Sequence, residues 1–124
     1  MHNTINTVGQ TYTRPWGSYT TLAQENGFQV KILSIQPGGQ LSLQRHFQRS
    51  EHWTVVQGQP TLTLNDTVKV YQRNEHIFIP KQAVHRIENF TQSPCQIIEV
   101  QIGDYLGEDD IERLDDVYNR STTG

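Results

Sequence analysis

The chain is poor in the features that mark many protein classes. Its 124 residues hold one cysteine, Cys95, which excludes an internal disulfide and a zinc site built from thiolates. Cys95 sits beside an apolar strand and reads as a small buried side chain. No run of apolar residues approaches a membrane span. Residues 1–10 are polar, with no apolar core of a signal peptide, so a cytoplasmic protein without membrane contact is the expectation. The ten Lys and Arg are scattered and the net charge is −3. Nothing there has the basic footprint of a nucleic-acid binder. Gly-rich phosphate loops, internal repeats and low-complexity stretches are absent too.

Short strand-like runs punctuated by turn residues fill most of the chain. Gln29 to Gln36, Trp53 to Gln57, Thr61 to Leu64, Val68 to Tyr71, His76 to Pro80, His85 to Asn89 and Gln96 to Ile102 alternate with Gly, Pro, Asn and Asp clusters. About eight strands without helical periodicity predict an all-β sandwich or barrel. The apolar pattern changes phase between Ile32 and Leu33, which predicts a bulge there or a strand passing between sheets. Ile111, Leu114 and Tyr118 recur at helical spacing behind Asp109 and Asp110, which predicts one short C-terminal helix. The run 108–116 reads as its solvated acidic face. Residues 1–13 read as an arm, either loose or an edge strand. Residues 14–120 form the domain, and 121–124 a loose tail.

Candidate chemistry concentrates between Pro37 and Gly58. On a strand, Ser42, Gln44 and His46 share one face. Glu51 and His52 follow a short turn and compete for one inward position, since adjacent strand residues face opposite ways. His85 lies far along the chain behind the turn led by Pro80. Two imidazoles, a carboxylate and an amide oxygen suit a borderline divalent ion such as Zn, Fe, Mn, Co or Ni, with room for water or substrate. His2 and His76 are weaker candidates. Glu99 interrupts an apolar strand, where a carboxylate needs a partner.

The spacing resembles the cupin motifs. Gly38, five residues, Gln44-Arg45-His46, four residues, Glu51, six residues and Gly58 follow the first motif, with Gln44 replacing its first His. Asn74, five residues, Pro80-Lys81-Gln82, two residues, His85, three residues and Asn89 follow the second, with both of its glycines replaced. The resemblance implies a cupin jelly-roll barrel with Gln44, His46, Glu51 and His85 around a metal, and it selects Glu51 over His52. The segments Arg14-Pro15-Trp16-Gly17, Glu51-His52-Trp53 and Gly107-Glu108-Asp109-Asp110-Ile111 are similar to type II mannose-6-phosphate isomerases. That resemblance implies interconversion of mannose 6-phosphate and fructose 6-phosphate, a homodimer, and a nucleotidyltransferase partner domain. The Gln-x-His pair is similar to that of the zinc-dependent type I enzymes, so zinc is the first ion expected.

Such an isomerisation needs a proton carrier, a stabiliser of the enediolate and a phosphate holder. His52 and Glu99 are the candidate acid/base groups. Arg14, Lys31, Arg49, Arg86 and Arg113 are the cations from which a phosphate site is drawn, Arg49 and Arg86 first, although alternation puts Arg86 opposite His85. Two other readings remain: a non-catalytic cupin that binds a sugar or nucleotide sugar, and a metal cupin of another class, such as a dioxygenase. A side chain blocking the ligand cluster would favour the non-catalytic one.

Overall fold

A computed structural model describes residues 5–120. They form eleven strands: β1 (Thr11–Arg14), β2 (Gly17–Glu25), β3 (Phe28–Ile35), β4 (Leu43–Arg45), β5 (Arg49–Gln57), β6 (Thr61–Leu64), β7 (Thr67–Val70), β8 (His76–Ile79), β9 (His85–Glu88), β10 (Cys95–Gly103) and β11 (Glu112–Asp115). One sheet runs β1-β2-β3-β10-β5-β8 and the other β11-β4-β9-β6-β7. Every strand pair is antiparallel. The sheets enclose one core, with Trp53, Ile35, Val55, Leu62, Ile79, Ile87, Cys95 and Ile97 almost wholly buried. This is the jelly-roll barrel that the turn spacing and the motifs predict. The 1–4 and 121–124 parts of the expected arm and tail, with His2, lie outside the described residues.

The predicted C-terminal helix is not present. Residues 112–115 form β11, which pairs with β4 through Glu112↔Arg45 and Arg113↔Gln44. A strand as short as β4 leaves unpaired backbone groups at its edge, and β11 covers them. Leu114 is exposed rather than packed, so the helical spacing was a coincidence of sequence.

The predicted bulge in β3 is also absent. β3 runs without a break, with Gln29, Lys31, Leu33 and Ile35 inward. The register shifts lie elsewhere, at Thr21/Ala23 in β2 and, at Gln96/Ile97, in the pairing of β10 with β5, which skips Val56. The apolar phase changes because polar residues take over the inner face. β10 does the same: Cys95 and Ile97 point in at the apolar end, Glu99 and Gln101 at the polar end. Cross-strand register lines up Lys31, Glu99 and Trp53, then Gln29, Gln101 and Glu51. The barrel therefore has an apolar end and a polar end. Gln29 donates to Gln101 at 2.8 Å and Gln101 to Glu99 at 2.7 Å, so these buried amides are satisfied.

Asn74 and Gln82 stand where the second motif has glycine, and both keep a left-handed backbone, at φ 78° and 68°. Such a conformation costs a side-chain-bearing residue about 1 kcal/mol or more. The Gln82 N–H donates to the His46 carbonyl at 2.8 Å, which ties this turn to the ligand strand.

Candidate metal centre

Three elements converge at the polar end. β4 pairs with β9 so that Gln44 lies directly across from His85. β5 brings Glu51 from the other sheet. One ligand atom each from His46, Glu51 and His85 lies within 4.8 Å of the others, and all three residues are buried. The Glu51 carboxylate stands 3.3 Å from His46 Nε2 and 4.0 Å from His85 Nε2. Gln44 lines the adjoining cavity, and its Oε1 accepts the Ser42 hydroxyl at 3.1 Å.

Hydrogen bonds set the tautomers. His46 Nδ1 is 2.6 Å from the Asp110 carbonyl, and His85 Nδ1 is 3.0 Å from that of Ala83. A carbonyl only accepts, so both Nδ1 atoms carry the proton and both Nε2 atoms present lone pairs. Burial lowers His46 to about 3, with Arg49 adding to the effect, and burial also lowers His85. Both rings are therefore neutral. His85 Nε2 is buried and has no hydrogen-bond partner. Two neutral imidazole nitrogens and a carboxylate, with an amide oxygen nearby, are a donor set that fits a divalent ion.

Glu51 is ionised. Burial opposes its charge, but the Arg49 guanidinium holds it well below the usual carboxylate range. Arg49 Nε donates to Oε2 and Trp53 Nε1 to Oε1, both at 2.9 Å. Glu99 differs. Burial, with the charge of Glu51 next, pushes it up to about 8, so it holds a proton at neutral pH and shares a hydrogen bond with Glu51.

A cavity of about 310 Å³ opens beside these groups. Its lining includes Trp16, Tyr19 and Glu99, and the cations Arg14, Lys31, Arg49, Arg113 and Arg120. Lys31 is buried, 2.7 Å from Glu108 and 4.2 Å above the Tyr19 ring. Burial would raise Glu108, but Lys31 and Arg49 bring it down to about 2. Arg113 is shifted down by burial and then by Arg120, with Arg14 contributing, so these like charges share one neighbourhood.

Two candidates sit elsewhere. His52 is exposed on the outer face of the first sheet, its ring 4.9 Å from Phe78, because Glu51 takes the inward position. Arg86 points away from His85, as alternation dictates. It donates to the Leu41 carbonyl and to Asp115, fastening β11 to the barrel wall. Neither His52 nor Arg86 lines the cavity.

Sequence reasoning missed Glu108 and Asp110 as parts of the site. The Asp110 carboxylate accepts the N–H groups of Phe47 and Gln48 at 3.0 and 2.9 Å, while its carbonyl orients His46. It also missed Arg120 and the indole contact to Glu51. Inward parity with Glu51 along β5 would have indicated Trp53. The 107–111 segment carries part of the family resemblance, but no periodicity there shows that Glu108 and Asp110 face the site.

Comparison with known proteins bears on the family and the fold. A family model described as "Mannose-6-phosphate isomerase C-terminal" matches residues 2–116. The alginate biosynthesis protein AlgA of Pseudomonas fluorescens is 46% identical over 98% of this chain and 27% of its own length. The mannose-1-phosphate guanylyltransferase ManC of Salmonella typhimurium is 45% identical over 86% of this chain and 22% of its own. The chain thus spans about a quarter of the length of these curated relatives. Among solved structures, the capsular polysaccharide assembling protein CapF of Staphylococcus aureus superposes with TM-score 0.72 at 20% identity, over 86% of this chain and 34% of that one. A double-stranded β-helix protein of Klebsiella pneumoniae gives 0.69 at 15% identity, over 90% of each chain. The structures support the fold, and the match over residues 2–116 places the chain in the mannose-6-phosphate isomerase C-terminal family.

Proposed function

We propose that this domain interconverts mannose 6-phosphate and fructose 6-phosphate with the help of a divalent ion. The observation that carries the reading is the pair of neutral, carbonyl-anchored imidazoles aimed at Glu51 beside a cation-lined cavity. Gln44, His46, Glu51 and His85 would hold the ion, zinc first, with Mn, Co, Ni or Fe as alternatives. A bound ion of this kind supplies Lewis-acid stabilisation for negative charge developing on sugar oxygens.

The chain's own residues supply the rest. Isomerisation moves a proton between C2 and C1 of the open-chain sugar. The C2–H electron pair becomes the C1=C2 double bond of the enediolate, and the proton returns at C1. Glu99, with a pKa of about 8, is our proton carrier, because a carboxyl in that range gains and loses a proton near neutral pH. Arg49, with Arg14, Arg113 and Arg120, forms the phosphate-binding wall; Lys31 is tied to Glu108 and shapes that wall. Trp16 and Tyr19 cover the sugar. The named relatives carry this module in much longer chains, which supports a nucleotidyltransferase domain as its working partner.

One contact favours a second reading. Arg49 Nη2 lies 3.2 Å from His46 Nε2 and takes up a ligand lone pair, which suits a module that binds a sugar without catalysis. The deciding assay adds mannose 6-phosphate to the purified chain and follows fructose 6-phosphate, after chelation and after restoring each ion. Turnover restored by an ion supports the isomerase. No turnover with any ion selects the binding module.

A further inference from the structure

An imidazole nitrogen has one lone pair in the ring plane and serves one partner at a time. At His46 that lone pair is on Nε2, because Nδ1–H is committed to Asp110, and it accepts the Arg49 Nη2–H at 3.2 Å. An ion held by His46, Glu51 and His85 needs the same lone pair. Glu51 faces no such conflict. A carboxylate oxygen has two lone pairs, so Oε2 can keep the Arg49 Nε–H at 2.9 Å and still face an ion. Three of the five Arg49 N–H donors remain to be placed, one on Nη2 and two on Nη1. The residue is 5% exposed and lines the cavity, yet its Nη1 is buried with no partner. A buried donor in that state is costly until an acceptor arrives.

We propose that Arg49 couples the two ligands of this site, so that a divalent ion and a tetrahedral oxyanion such as a phosphate monoester strengthen each other's binding. An ion that takes His46 Nε2 releases Arg49 Nη2. Arg49 stays anchored to Glu51 through Nε and then has both Nη groups to offer. That pair of N–H groups is the fork that grips phosphate or sulfate bidentately. While His46 holds one Nη2–H, that hydrogen is lost to an anion, and once an ion takes Nε2 it has no acceptor until an oxyanion supplies one. The coupling is reciprocal by thermodynamic necessity. It rests on the ion-site reading above and adds that one side chain makes the two binding events cooperative.

Co²⁺ titration of the purified chain, followed by its visible absorption with and without sulfate, tests the proposal. Sulfate should tighten Co²⁺ binding by roughly 5- to 150-fold, the usual span of such couplings. Arg49→Gln removes the competitor and a buried positive charge. It should bind Co²⁺ more tightly than the unaltered chain when sulfate is absent, and should not respond to sulfate. The proposal is overturned if sulfate leaves the affinity of the unaltered chain unchanged, a result that needs no variant to fold. It is equally overturned if Arg49→Gln binds Co²⁺ no tighter and still responds to sulfate. His85→Ala keeps the two readings apart: it should lose Co²⁺ binding, and unchanged Co²⁺ affinity in that variant would sink the ion site itself, whatever Arg49 does.

Discussion

Glu99→Gln should give a protein that is more stable and nearly inactive. The Glu99 carboxyl ionises near 4.5 in an unfolded chain and keeps its proton to about 8 in the fold. Below pH 4.5 both states hold the proton, and the group costs nothing. Between 4.5 and 8 the folded state binds more protons than the unfolded one, so stability falls as pH rises, and above 8 the loss is complete. At pH 7 the cost is about 3 kcal/mol, and at pH 5 under about 1 kcal/mol. Glutamine removes the titration and can keep the contacts. Its amide can donate to Glu51, and its oxygen can accept from Gln101, which now donates to Glu99 at 2.7 Å. Urea unfolding in a chelator, at pH 5, 7 and 8, reads the effect. The variant should gain about 3 kcal/mol at pH 7, about 4 kcal/mol at pH 8 and under about 1 kcal/mol at pH 5. Its isomerase turnover with ion restored should fall by roughly 100-fold or more. Parallel stability curves for the two proteins across that pH range would refute the protonated, buried Glu99.

Asp110→Ala frees the carbonyl that orients His46 and should weaken Co²⁺ binding by roughly 10- to 100-fold, measured by titration. Arg113→Ala should raise KM for mannose 6-phosphate more than it lowers kcat, whereas Arg86→Ala should leave KM unchanged, because Arg86 does not line the cavity. Ile97→Ala opens a hole in the apolar end and should cost about 2–5 kcal/mol in urea unfolding, with its m-value unchanged.

Local pattern explains which parts of this architecture could be read in advance. Turn residues punctuate the strands, so an all-β sandwich or barrel followed from spacing, and the resemblance to the cupin motifs chose the jelly-roll barrel. The pair Gln44 and His46 was legible because alternation over two residues is a local rule, and the motif spacing linked it to Glu51 and His85. Arg86 was correctly suspect for the same reason. Other features depend on contacts far apart in the chain. Asp110 meets Phe47 and Gln48 more than sixty residues away, and its loop has no period to betray it. Ile111, Leu114 and Tyr118 mimicked a helix because strand pairing with β4 is invisible to a local window. The inward Gln29, Lys31, Glu99 and Gln101 broke the apolar alternation that sequence reading relies on. That break marks the polar end of the barrel, where the candidate site lies.

The most direct measurement of the central claim is an NMR experiment on mannose 6-phosphate in D₂O with the ion-restored chain. The account predicts fructose 6-phosphate carrying deuterium at C1, formed with the ion present and not after chelation. If the chain binds both ion and sugar phosphate yet gives neither product nor exchange at C2, the pocket binds without catalysing, and the isomerase assignment is wrong.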